Sequence, residues 1–73
     1  MKLLSKRELR DLLVKSGYSL PVNYFNSVLF DRIEDNCMIY TVTIPDESGI
    51  VEFVTDEIIV TLQDGQPLFA NFA

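Results

Sequence analysis

The spacing of apolar residues changes along this 73-residue chain from a helical period to a period of two. This change constrains the fold more than any other feature. Leu9, Leu12 and Leu13 fall on one face of a helix, whereas apolar and polar residues alternate from Cys37 onward. A helix that packs on one face of an antiparallel sheet satisfies both patterns. The sequence therefore predicts an α+β fold, in a single small globular domain that spans residues 1-73.

The N-terminal helix has start and stop signals. Ser5 and Glu8 have the spacing of a capping box, in which each side chain accepts a hydrogen bond from the backbone N–H of the other residue. Gly17 suits the left-handed conformation that commonly ends helices. We therefore predict an amphipathic helix over residues 5-16, with its leucine face on the sheet.

Residues 18-34 admit two interpretations. Their apolar residues fit a helical stripe, and Ser19 followed by Pro21 suits a helix start. The segment is also rich in Asn, Val and aromatic residues, which are modest helix formers, so a strand from Val28 to Ile33 is the alternative. We favour a second helix over about residues 20-30, after which the chain enters the sheet.

The rest of the chain predicts a three- to four-stranded antiparallel meander. Pro45–Gly49 has the composition of a turn, and Asp64-Gly65 fits a type I′ hairpin turn. We interpret Thr55–Glu57 as a break between two short strands. Pro67 has no backbone N–H, which favours an edge position for the last strand. The predicted strands are 37-44, 50-54, 58-62 and 67-72.

The residue types argue against catalysis and against a bound cofactor. The chain has no histidine, the commonest general base and metal ligand, and its single Cys37 forms neither a zinc site nor an intrachain disulfide. The turn at Asp46 and Glu47 lacks the spacing of an EF-hand. We therefore expect no enzyme, no catalytic residue, no metal and no other cofactor.

Cysteine use and hydropathy also bear on the compartment. A small secreted domain normally has several disulfides, so one cysteine favours a reducing interior. No apolar stretch has the length of a signal peptide or of a membrane span. We expect a cytoplasmic protein without a membrane partner.

The charges are divided unequally along the chain. The first fifteen residues contain five bases and two acids, whereas the other 58 contain one base and nine acids, which gives −5 in total. An acidic body attracts basic protein surfaces and repels nucleic acid. The leading hypothesis is a non-enzymatic protein-binding module, an inhibitor or adaptor that presents acidic turns to a basic partner. The candidate partner-binding residues are Glu34, Asp35, Asp46, Glu47, Glu52, Asp56 and Glu57.

The predicted topology also suggests where these acids lie. Alternate turns of a meander fall at opposite ends of the sheet. We therefore expect the acids of 34-35 and 56-57 at one end, and those of 46-47 with Asp64 at the other.

Two other hypotheses remain open. Apolar residues on both strand faces, such as Ile39 opposite Tyr40, suit a homo-oligomeric structural or accessory protein. A nucleic-acid accessory protein would use the basic helix face of Lys6, Arg7 and Arg10, but the acidic composition argues against this hypothesis. The short, acidic, histidine-free composition is similar to that of many small proteins of phages and mobile elements, including inhibitors of host nucleases. That resemblance includes no motif and assigns no residue.

Overall fold

The computed structural model describes residues 2–73. Over these residues, it contains helix α1 (Lys6–Lys15) and strands β1 (Ser27–Glu34), β2 (Cys37–Pro45), β3 (Phe53–Gln63) and β4 (Gln66–Phe72). The strands form one antiparallel sheet in the order β1-β2-β3-β4, so β1 and β4 are its edges. The predicted α+β class, with an N-terminal helix and a β-meander, is confirmed.

Helix α1 begins as its local sequence predicts. The Ser5 hydroxyl accepts from the backbone N–H of Glu8 at 3.1 Å, and the Glu8 carboxylate accepts from the N–H of Ser5 at 2.9 Å. Ser16 is the C-cap, and Gly17 follows with a φ of 111°, in the region that favours glycine. The predicted helix over 5-16 is therefore confirmed to within one residue at each end.

The leucine face of α1 and one face of the sheet form the core, as predicted. Leu9 and Leu13 are fully buried and pack into a cluster of apolar side chains. The other buried members of this cluster are Phe25, Met38, Tyr40, Val42, Ile58, Val60, Leu62 and Ala70. Within the described chain, no second layer covers the opposite side of the sheet, which we call the outer face.

The predicted second helix over about residues 20-30 is wrong, and the alternative strand is present as β1. Asn23 has a φ of 64°, a left-handed conformation that interrupts an α-helix. β1 pairs with β2 from Ser27 to Glu34. Its β-branched and aromatic residues fit a pleated surface, and pairing with β2 outweighs their helical spacing.

The predicted strand 58-62 and the last two residues of the predicted strand 50-54 belong to one continuous strand, β3, whereas residues 50-52 lie in the loop before it, so the strand prediction is wrong there. The predicted break at Thr55–Glu57 is wrong, because Thr55 pairs with Thr43 and Glu57 pairs with Thr41. Pairing with β2 satisfies the backbone groups there and keeps these polar residues in the strand.

The other predicted strand bounds are confirmed to within one residue, since 37-44 and 67-72 correspond to β2 and β4. The turn between β3 and β4 also agrees with its prediction, because Asp64 and Gly65 have φ values of 53° and 77°. Pro67 lies in β4, an edge strand, as expected.

Candidate interaction surfaces

The outer face presents a mixed apolar and polar surface. The register places one row of residues across all four strands of this face, namely Arg32, Ile39, Ile59 and Asn71. The adjacent row contains Glu34, Cys37, Thr61 and Phe69. Thr41, Thr43 and Thr61 also lie on this face. The centre of the face therefore carries aliphatic and hydroxyl side chains together with Glu57 of β3, and the other charged residues lie toward β1.

Arg32 gathers three carboxylates on the outer face. Its Nε donates to Glu34 at 2.9 Å, its Nη1 donates to Asp31, and the same Nη1 lies 3.5 Å from the Glu57 carboxylate. The hydrogen bonds from Glu34 and then Asp31 raise the pKa of Arg32 above its ordinary value. We call Asp31, Glu34 and Glu57 with Arg32 the acidic cluster. Because three carboxylates surround one guanidinium, the acidic cluster has a net negative charge.

The acidic cluster spans three strands. Asp31 lies at a register shift in β1, between Phe30 and Arg32, which is the geometry of a β-bulge. Because Arg32 is on β1 and Glu57 is on β3, the arginine side chain crosses over β2. This crossing accounts for the low exposure of Ile39, which lies on the outer face of β2 beside Arg32.

The hairpin of β2 and β3 extends beyond its neighbouring strands. β1 starts at the pair Ser27–Thr43, and β4 ends at the pair Ile58–Phe72. Residues 44-54 therefore have no flanking strand, and we call them the arm. The arm exposes four large apolar side chains, including Ile50 at 85% and Val51 at 52%.

A network centred on Asp46 orders the tip of the arm. The Asp46 carboxylate accepts from the backbone N–H groups of Ser48 at 3.1 Å and Val51 at 3.0 Å. It also accepts from the Ser48 hydroxyl at 2.7 Å. These hydrogen bonds, first that of the Ser48 side chain, lower the pKa of Asp46. The tip consequently holds Ile50 and Val51 in solvent on an ordered loop.

A groove of about 460 Å³ lies at the root of the arm. The bases of α1 line one side, and residues 22-26 with the first residues of the arm line the rest. The lining residues are Lys6, Arg7, Arg10, Asp11, Val22, Asn23, Tyr24, Phe25, Asn26, Pro45 and Phe53. The basic helix face of Lys6, Arg7 and Arg10 is therefore one wall of an amphipathic groove.

The three bases in this groove differ in their availability. Lys6 donates to the carbonyl oxygen of Asn26 at 3.2 Å, and Arg10 donates twice to that of Leu20, at 2.6 and 3.1 Å. These contacts tie the loop after α1 to the helix. Arg7 has no hydrogen-bond or ion-pair partner in residues 2–73, so its charge is available to a ligand.

The seven acids proposed from the sequence do not share one surface. Those at 34-35 lie at the turn between β1 and β2, and those at 46-47 lie in the arm, at the other end of β2. Those at 56-57 lie inside β3, on alternate faces of the strand, and not at the same end as 34-35. Asp64, in the turn between β3 and β4, lies at the same end of the sheet as residues 34-35. Glu52 lies in the arm.

Sequence reasoning missed several residues of these surfaces. Leu29 fell in the segment that we favoured as a helix and Asp31 directly after it, so neither was identified as part of an interaction surface. Arg32, the single base after residue 15 and flanked by acids, was an available signal for the acidic cluster. The apolar pair at Ile50 and Val51 was assigned to a strand, although it directly follows the turn at Gly49.

Comparisons with protein-family models, curated proteins and solved structures find no match to this chain. In the part of the chain that the structure describes, no helix is both long enough and apolar enough to cross a membrane. The same residues contain no group of three or more His, Cys, Asp or Glu side chains arranged to hold a metal ion. Cys37 is a half-buried free thiol, 3.9 Å from the Thr61 hydroxyl.

Proposed function

We propose that this protein is a non-enzymatic protein-binding module, an inhibitor or adaptor, that presents the outer face of its sheet to a basic partner protein. The observation that carries the proposal is the acidic cluster. It joins the carboxylates of Asp31, Glu34 and Glu57 on a sheet face that the helix leaves uncovered.

The composition of the outer face suits a protein interface. Ile59 lies near its centre, and the acidic cluster extends from the β1 edge across β2 to Glu57 on β3. Protein interfaces commonly combine a less charged centre with a polar rim. Exposed Leu29 and Phe69 extend the apolar area toward the two edges of the sheet.

Electrostatics favours a basic partner. The protein has a net charge of −5, and the acidic cluster retains negative charge because one guanidinium faces three carboxylates. Lysine or arginine side chains of a partner would share these carboxylates with Arg32. Such complementarity speeds encounter and selects the partner, and it weakens as salt screens the charges.

Affinity capture with two matched double variants tests this proposal. Glu34→Lys with Glu57→Lys reverses charge in the acidic cluster. Glu47→Lys with Glu52→Lys makes the same change of net charge in the arm. Each immobilised protein, checked for its fold by circular dichroism, is exposed to lysate of the cells that express it, and bound proteins are identified and eluted with salt.

We expect the wild type and the arm variant to retain the same partner protein, and the cluster variant to lose it. Salt should elute this partner. Retention by both variants would overturn the proposal, as would retention that is insensitive to salt. Equal loss from both variants would show that net charge and not this surface drives binding. Loss from the arm variant alone would move the binding site to the arm.

We further propose that the protein works in the cytoplasm. The support is its single cysteine, Cys37, which is free in the structure, since a reducing compartment maintains such a thiol. Cell fractionation with an antibody against the protein tests this location. Recovery with secreted or envelope proteins would contradict it.

A further inference from the structure

The arm and the groove have complementary chemistry. The tip of the arm combines exposed acids, Glu47 and Glu52, with the aliphatic side chains of Ile50 and Val51. The groove combines the available charge of Arg7 with apolar walls. One surface is acidic and apolar and the other is basic and apolar, so each matches the other in charge and in polarity.

We propose that a second copy of this chain occupies the groove, and that two copies exchange arms in a two-fold symmetric dimer. The tip of each arm lies in the groove of the other subunit. Glu47 and Glu52 face the Arg7 side of that groove, and Ile50 and Val51 pack against its apolar wall. This surface is separate from the acidic cluster, so the dimer neither requires nor prevents the function proposed above.

The position of the groove allows both arm–groove contacts to form in one closed dimer. Pro45 and Phe53, at the root of the arm, line the groove of their own subunit. When two arms lie antiparallel, the tip of each reaches the root of the other, and therefore reaches its groove. Both contacts form together around one two-fold axis, which yields a closed dimer and not a filament.

The structure of the arm also favours an intermolecular role. A two-stranded ribbon without flanking strands is only marginally stable in water. Here the Asp46 network nevertheless orders the tip while Ile50 stays 85% exposed. An ordered loop loses little conformational freedom when it binds, and its exposed aliphatic side chains gain burial.

Sedimentation velocity of the wild-type protein is the first test. We expect a reversible monomer–dimer equilibrium, with a dissociation constant below about 100 μM at low salt, that weakens as salt is added. A protein that remains monomeric at about 500 μM in low salt would overturn the proposal.

Charge reversal on each side of the contact is the second test. Arg7→Glu changes the groove, and Glu47→Lys with Glu52→Lys changes the arm. Because these residues are exposed and Arg7 is unpaired within residues 2–73, we expect the variants to retain the fold. Each alone should weaken the dimer at least about tenfold. Lys15→Glu is the matched control, since it makes the same charge change on α1 outside the groove, and it should dimerise like the wild type.

Mixing the two variants identifies the contact. In a heterodimer, one arm–groove contact has its native charges and the other has both charges reversed, so both are attractive. Each homodimer instead has two repulsive contacts. We therefore expect an equimolar mixture to recover dimer near the wild-type constant.

Failure of the mixture to dimerise would overturn the arm exchange, as would dimers that persist in each variant alone. Binding of a short oligothymidylate that Arg7→Glu abolishes, in a protein that stays monomeric, would assign the groove to nucleic acid instead. If a reversal variant does not fold, Arg7→Gln and Glu52→Gln replace it, and unchanged dimerisation of both would count against the proposal.

Discussion

The phenolic oxygen of Tyr40 accepts a hydrogen bond from the backbone N–H of Leu4 at 2.9 Å, across 36 residues of sequence. Tyr40 is only 1% exposed and lies in the core on β2, while Leu4 directly precedes the capping box of α1. Burial raises the pKa of Tyr40, so the hydroxyl stays protonated at neutral pH. This bond therefore fixes the start of the helix to a central strand of the sheet.

Tyr40→Phe should lower the free energy of unfolding by about 1 kcal/mol, because the partly buried Leu4 N–H loses its acceptor while the ring remains. Urea denaturation at neutral pH measures the loss. Tyr24→Phe is the control, since the Tyr24 hydroxyl has no hydrogen-bond partner within residues 2–73. An equal loss in both variants would show that the Leu4 bond is not the cause.

Ser5→Ala should destabilise the protein by about 1 kcal/mol, because the N–H of Glu8 loses its capping acceptor. The helix signal in circular dichroism and the urea midpoint should fall together. Ser19→Ala removes an exposed serine hydroxyl that makes no hydrogen bond in the described part of the chain. It should leave both observables unchanged, and a comparable effect there would contradict the capping role.

Helix α1 was predictable because its information is local. Ser5, Glu8 and Gly17 mark both ends within thirteen residues, and no distant contact is needed to interpret them. Strand β1 was not predictable in this way, because the spacing of its apolar residues fits either a helix or a strand. The pairing with β2 decides between them, and that contact is not visible in the local pattern.

Leu13→Ala should lower the free energy of unfolding by roughly 2–5 kcal/mol, since this side chain is fully buried between α1 and the sheet and its removal leaves a cavity. A chain of this size is stabilised by only about 4–11 kcal/mol in total. We therefore expect thermal unfolding at a markedly lower temperature. Leu68→Ala, at a half-exposed position in β4, should shift the transition only slightly, and a similar shift in both would contradict this account.

The interaction surfaces were less predictable than the fold. The acidic cluster joins residues 31-34 to Glu57, and only the register of three strands brings them together. The acids at 46-47 were identified as available charges, yet Asp46 is occupied by hydrogen bonds within its own loop. The arm itself depends on where β1 begins and β4 ends, which are bounds that local patterns do not define.

The order of the arm tip should depend on pH through Asp46. The hydrogen bonds to the Asp46 carboxylate lower its pKa in the folded chain below the ordinary value of 3.8. The ionised carboxylate therefore stabilises the loop fully at pH values above 3.8, and this stabilisation is lost as the pH falls through the pKa of the folded chain. The amide resonances of Ser48 and Val51 should therefore move together, with a midpoint below 3.8. Asp46→Asn should abolish this shared titration, and a midpoint above 3.8 would contradict the network.

Arg32→Gln should make stability more dependent on salt. Without the guanidinium, the carboxylates of Asp31, Glu34 and Glu57 repel one another on the outer face. The screening length falls from about 30 Å at 0.01 M salt to about 3 Å at 1 M, so the repulsion is strong only in dilute salt. We expect the urea midpoint to lie below that of the wild type at low salt and to approach it at high salt.

The control for Arg32→Gln is Lys15→Gln. It removes the same charge from an exposed helix position that has no ion pair in the part of the chain described. Its urea midpoint should follow the wild type more closely at every salt concentration, because no group of carboxylates depends on Lys15. A midpoint for Arg32→Gln that differs from the wild type by a constant amount at all salt concentrations would mean that Arg32 acts through packing over Ile39. The acidic cluster would then be a structural feature of the sheet, and its charge would have less bearing on a partner.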